Sequence, residues 1–173
     1  MSFLSRLFGD EKRQRQHLEP LYGAIVATGR DPAWYREGQV ADTIDGRFDM
    51  IAAVLTLVLL RLEQEGDGTK QDSVLLTELF VADMDGSIRQ MGIGDLMVGK
   101  HIGRMMSALG GRLAAFRNAG AGPLDVPVAR NIFHDAPPSP EALAVVAGRL
   151  ESLRDRLSAV ASDRLLAGEM PAL

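Results

Sequence analysis

The stretch from Met50 to Leu60, Met-Ile-Ala-Ala-Val-Leu-Thr-Leu-Val-Leu-Leu, constrains this chain more than any other. It carries no charge, and Thr56 is its one polar residue. A membrane-spanning helix needs about 20 consecutive apolar residues, so this run is too short to cross a bilayer. Phe48, Ile51, Leu55, Val58, Leu59 and Leu62 recur at helical spacing and make one face. Met50, Val54, Leu57 and Leu60 continue the apolar character around the axis. A helix apolar on all sides must be covered on all sides. The rest of the chain therefore has to surround it.

The remaining segments read as helices able to do so, and none alternates like a strand. Asp10 can cap a first helix running through His17 and Tyr22 to about Ala27. Asp31-Pro32 joins an N-cap carboxylate to a proline at the first helical position, opening a short helix with Trp34 and Tyr35. Asp42-Thr43 opens the central helix. Thr69 and Asp72 have capping-box spacing ahead of a helix with Leu75, Leu76, Leu79, Phe80 and Ile88. Asp95 caps the next, whose stripe is Ile102, Met105, Met106, Leu109, Leu113 and Phe116. A Gly- and Pro-rich connector, with one short helix near 126–133, leads to Ser139-Pro140. There a last helix begins, with Leu143, Val146, Leu150, Leu153, Leu157 and Val160 on a narrow seam. The expected fold is all-α, a compact bundle of about six to seven helices around a buried central helix at about 44–63.

Composition narrows the functions. Apolar residues make up 46% and charged residues 24%, a globular profile. The net charge of −4 argues against direct nucleic-acid binding, which needs a basic surface. With no cysteine, disulfides, thiolate metal sites and cysteine nucleophiles are excluded. The N-terminus lacks the long apolar core of a signal peptide, so a soluble, cytoplasmic protein is expected.

Catalytic motifs fail one by one. Gly94 to Lys100 matches the glycine-rich phosphate loop until His101, which stands where a magnesium-holding Ser or Thr belongs. The polar, helical segment before it is not the buried strand that motif requires. Asp83-Met84-Asp85-Gly86 begins like a calcium loop, but Gly94 occupies the position of its closing glutamate. His17, His101 and His134 share no ligand spacing and read as surface or hydrogen-bonded histidines. No metal, cofactor or catalytic residue is expected, and the chain does not read as an enzyme.

The unusual feature is charge in apolar places. Asp45 and Asp49 lie one turn apart at the head of the most apolar helix, and Asp83 and Asp85 interrupt another. Arg47, Arg89, Lys100, Arg104 and Arg112 are available partners, because carboxylates near a core need pairing. These residues suggest an Asp/Arg network locking the helix starts around Gly92–Gly94, with simple surface ion pairs as the competing reading. Met84, Met91, Met97, Met105 and Met106 fall around the same turn. Flexible thioethers suit a surface that accepts varied apolar clients, although methionine also simply fills cores.

At these residues the chain resembles the ubiquinol–cytochrome c chaperones of alphaproteobacteria and mitochondria. The strings are Val40 to Asp49 (Val-Ala-Asp-Thr-Ile-Asp-Gly-Arg-Phe-Asp), Asp83-Met84-Asp85, Ile88 to Asp95 and Val98-Gly99-Lys100. Tyr22, Arg30, Trp34-Tyr35, Gly111-Arg112 and Arg130-Asn131 support them, from about Leu21 to Phe133. Leu109-Gly110 departs from the more aromatic pair expected before Gly111-Arg112, and Gly86-Ser87 is less polar than usual. The resemblance implies a non-catalytic assembly chaperone for respiratory complex III, with cytochrome b or an early assembly intermediate as client. Mitochondrial relatives associate with the ribosome exit, so nucleic acid enters only indirectly, through a ribosome.

On that reading residues 1–18 form an N-terminal amphipathic segment and 19–135 the helical chaperone domain. Residues 136–173 carry a C-terminal helix docked on the bundle or on a partner. The partner-binding candidates are Asp42, Asp45, Arg47, Asp49, Asp83, Asp85, Arg89, Asp95, Lys100 and Arg104, where the two charged segments should meet. Phe3, Leu4, Leu7 and Phe8, followed by Lys12, Arg13 and Arg15, are candidate membrane contacts for a peripheral seat on the inner membrane. The competing function is a helical protein or enzyme binding a small ligand, a quinone or lipid, which calls for an enclosed pocket with converging polar groups.

Overall fold

A computed structural model describes the backbone of residues 3–90, 95–134 and 137–173, and the side chains of 15–90, 97–134 and 137–173. Its helices are α1 (Phe3–Gly29), α2 (Pro32–Arg36), α3 (Ile44–Glu63), α4 (Lys70–Gln90), α5 (Asp95–Ala119), α6 (Asp125–Asn131), α7 (Pro140–Ser158) and α8 (Ser162–Leu166). A 3₁₀ turn, Gly66–Thr69, joins α3 to α4, and no strand occurs among the described residues. The all-α fold expected from the sequence is the fold observed.

The central helix holds its place for the reason its sequence demands. Every residue from Phe48 to Leu59 is buried, and α1, α4, α5 and α7 pack around it. Each fully buried Leu, Ile or Val contributes about 1.5–3 kcal/mol by leaving water. Phe48 meets Phe80 of α4 with ring centroids 5.5 Å apart and tilted by 33°. Two glycines permit close approaches at this helix. A β-carbon at Gly46 would lie 1.9 Å from the Ala41 carbonyl oxygen, and one at Gly29 would lie 2.7 Å from Ile51 Cα.

Local capping follows the sequence signals at three helices. The Asp31 carboxylate accepts from Ala33 N at 2.8 Å, Thr43 Oγ1 from Gly46 N at 3.1 Å, and Ser139 Oγ from Ala142 N at 3.2 Å. Two other signals act differently. Asp10 lies inside α1, which is continuous from Phe3 and passes through Pro20. Thr69 ends the 3₁₀ turn, and its hydroxyl donates to Leu62 O at 2.7 Å, back to α3 rather than forward as a cap. The seam of α7 lies against α3, with Val146, Leu150, Leu153 and Leu157 buried. Helix α8 was not evident in the sequence. It returns to α1, with Leu165 buried and the chain turning at Gly168 (φ +94°) against Pro20.

Candidate functional site

Asp49 and Arg112 form a buried ion pair between α3 and α5. Arg112 Nη2 donates to Asp49 Oδ1 at 2.7 Å, with the two side chains 1% and 6% exposed. The same nitrogen donates to the Asn131 carbonyl at the end of α6, while Asn131 Nδ2 bonds Pro127 O at 2.8 Å. His134 Nε2 sits 2.9 Å from Asp49 Oδ2, at a left-handed backbone position (φ +47°). Desolvation pushes the Arg112 guanidinium below its ordinary value, and the charge and hydrogen bond of Asp49 oppose that push. Among the described residues Arg112 Nε and Nη1 have no hydrogen-bond partner, so the pair is only partly satisfied there. No hydroxyl nucleophile among the described residues joins it, and the chain has no cysteine. The arrangement staples α3, α5 and α6 together.

The turn around which the network was expected, residues 91–94, lies outside the described residues, and the charges that are described meet as follows. Asp42 pairs with Arg47 at 2.7 Å and Asp85 with Arg89 at 2.6 Å, each within a few residues along the chain. Asp83 accepts instead from Tyr22 Oη of α1 at 2.7 Å. Burial, reinforced by Asp83, pushes the Tyr22 hydroxyl well above its ordinary value. Asp45, Lys100 and Arg104 are exposed. Asp49 is buried, so it cannot belong to a contact surface: its place on the inner face of α3 demanded a cation, and α5 supplied Arg112. The side chains of Asp95, Phe3, Leu4, Leu7 and Phe8 lie outside the described residues. So does Met91; Met84 is buried, Met105 half-buried, and Met97 and Met106 exposed at 45% and 38%.

The apolar surface lies elsewhere than the charged segments suggested. Helices α4 and α5 part to leave a trough of about 1090 Å³, open to solvent. Val74, Val81, Ala82, Ile102, Met106 and Leu113 line it, with Leu59 of α3 also on its wall. Charged side chains also line it. Glu63 and Arg117 pair at 2.7 Å, Arg15 pairs with Glu78, and Lys70 and Asp85 are the others. Asp85 is the one sequence-predicted partner residue on its wall. Sequence reasoning missed Val74, which is 52% exposed and falls outside the buried stripe of α4. An apolar residue out of register with its own stripe was the available signal.

A second, smaller concavity of about 380 Å³ lies at the junction of α1, α2 and α3. Arg30, Pro32, Tyr35, Arg36, Asp42 and Arg47 line it.

Comparisons with known proteins agree with this architecture. The family model described as Ubiquinol-cytochrome C chaperone matches residues 36–172, and so runs through α7 and α8. A crystal structure of the Cbp3 homolog from Brucella abortus is similar at a TM-score of 0.79 and 27% identity. That likeness covers 99% of this chain and 97% of that one. Among curated proteins, none matches the chain.

Proposed function

Because the chain belongs to the ubiquinol-cytochrome C chaperone family, whose role is in complex III assembly, we propose that it holds cytochrome b, or an early intermediate containing it, in the α4–α5 trough. It acts as a non-catalytic assembly factor. The trough is the observation that carries this reading. A contiguous exposed apolar surface with a charged rim marks a place for a macromolecular partner. An uninserted membrane helix is about 10 Å wide and apolar around its circumference, and an open channel between two helices can take one such face. Met106 gives that surface a side chain able to repack against different apolar sequences. An open trough also favours such a client over a quinone or lipid, which would want enclosure. No helix among the described residues is long and apolar enough to cross a membrane, so contact with the bilayer would be peripheral.

The test is replacement of the chromosomal gene by one encoding V74D/M106E, with a photo-crosslinking residue at Ala82 in a parallel strain. The wild-type trough should crosslink to cytochrome b during its synthesis. The double variant, folded and expressed, should lower complex III while the spectra of other cytochromes persist. Normal complex III in the V74D/M106E strain would overturn the reading.

A further inference from the structure

The small concavity at the α1–α2–α3 junction gathers positive charge on a chain whose net charge is negative. Three guanidinium groups, Arg30, Arg36 and Arg47, and one carboxylate, Asp42, line it. Arg47 Nε donates to Asp42 at 2.7 Å, and this exposed bridge is the one ion pair in the concavity. Arg30 and Arg36 have no ion-pair partner among the described residues. Two guanidinium charges are thus left over, on a protein whose net charge is −4.

The walls are held firmly. Trp34, fully buried, anchors α2 beneath the site: its Nε1 donates to Thr28 O at 2.7 Å, and Arg149 stacks 4.8 Å from its ring centroid. Tyr35 Oη donates to Gly29 O at 3.0 Å and turns its ring into the wall. The wedge of Gly46 against Ala41 fixes the segment that brings Asp42 and Arg47 to the rim. Arginine forks are suited to the paired oxygens of a phosphate group, and this volume is within the range of small-ligand sites, about 300–1,000 Å³.

We propose that this concavity binds a phosphate group, and that the phosphate is the headgroup of an anionic lipid. The observation that favours lipid is Ile44, 53% exposed on the first turn of α3, between Asp42 and Arg47 in sequence. A large apolar side chain standing free beside arginines is what an interfacial contact uses. Asp42 competes with the incoming phosphate for Arg47, and its carboxylate sets how tightly the site binds.

The experiment is flotation of the full-length chain with phosphatidylcholine vesicles, with and without phosphatidylglycerol. The wild-type chain should float only with the anionic vesicles. Each basic residue at an anionic surface contributes about fivefold in affinity, so R30Q/R36Q should lose about twenty-five-fold. D42N should gain up to about fivefold. R130Q/R164Q, which removes the same charge away from the site, should bind as wild type. In parallel, inorganic phosphate is titrated while the fluorescence of Trp34, the chain's single tryptophan, is recorded. A saturable response lost in R30Q/R36Q, without flotation, keeps the phosphate site and replaces the lipid source by a soluble one. Flotation that R30Q/R36Q leaves unchanged, or no response in either arm, overturns the proposal. Ribosome cosedimentation that R30Q/R36Q abolishes, without flotation, overturns it in favour of RNA. All of these substitutions are on exposed side chains, and unchanged thermal melting verifies that the variants fold.

Discussion

Helices α3 and α5 are 20 and 25 residues long and are packed in opposite ways. Around α3 there is little free room: its one glycine, Gly46, is wedged against backbone, and every residue from Phe48 to Leu59 is buried. Helix α5 carries Gly99, Gly103, Gly110 and Gly111, and at each of them the space beyond the backbone is empty. Glycine inside a helix costs roughly 0.5–1 kcal/mol relative to alanine, and here no close packing offsets that cost. Helix α5 is therefore held by a thin inner seam, Val98, Leu109, Arg112 and Phe116, while its outer face stays bare. The difference separates a framework from a working surface. Regions that must admit a partner are drawn from the less stable parts of a fold.

The strongest way to break this comparison is through the pair joining the two helices. Asp49→Ala leaves Arg112 buried without its anion and should cost about 3–5 kcal/mol in urea unfolding. Replacing both partners with apolar side chains, D49L/R112M, should recover most of that loss, because the penalty lies in the unpaired charge. A loss below about 1 kcal/mol for Asp49→Ala would mean that α5 is not anchored there.

Next in size is Gly46→Ala, which forces a methyl group into the Ala41 carbonyl and should cost about 1–3 kcal/mol. Tyr22→Phe removes the hydroxyl that reaches Asp83 across α1 and α4 and should cost about 1 kcal/mol. The sign of its pH dependence follows from the proton. The folded chain holds the Tyr22 proton above the ordinary tyrosine value of 10.0, where the unfolded chain releases it. This contribution is therefore intact below pH 10 and is lost as pH rises beyond it, a decline that Tyr22→Phe should flatten. Chemical denaturation between neutral and alkaline pH reads both effects.

Gly103→Ala sharpens the contrast with Gly46, since the same change at an open helical site should stabilise by about 0.4–1 kcal/mol. A destabilised G103A protein would show that α5 is more closely covered than its geometry indicates. The smallest effect belongs to the Glu63–Arg117 pair on the rim of the trough. The hydrogen bond from Arg117 holds the Glu63 carboxyl below its usual range, but both side chains are about half exposed. Glu63→Gln should cost no more than about 0.5 kcal/mol in thermal melting. What the pair contributes is present above the ordinary carboxylate range and is lost as pH falls through the lowered value.

Much of the framework was legible because its signals are local. Helical period, proline at a first turn and a capping hydroxyl act within a few residues, and Asp31, Thr43 and Ser139 cap where they were expected to. The charged strings were specific enough to carry the family resemblance, which the match over residues 36–172 upholds. The candidate site was less legible. The ten charged residues singled out include Asp49, which is buried, and Asp85, which does line the trough. The trough also depends on Met106, which the group of methionines had marked, and on Val74, which no motif marks.

What the sequence determined by itself was the all-helical class and the central place of the Met50–Leu60 run, since an apolar circumference allows no other solution in water. Tertiary structure decided which charge answers Asp49, that α8 returns to Pro20, and that α4 and α5 leave a trough between them. Those choices bring together residues far apart in the chain, Asp49 and Arg112 above all, and no local periodicity specifies them. Their physical reason is the desolvation of a carboxylate on the inner face of α3, which only a cation delivered by another helix can relieve.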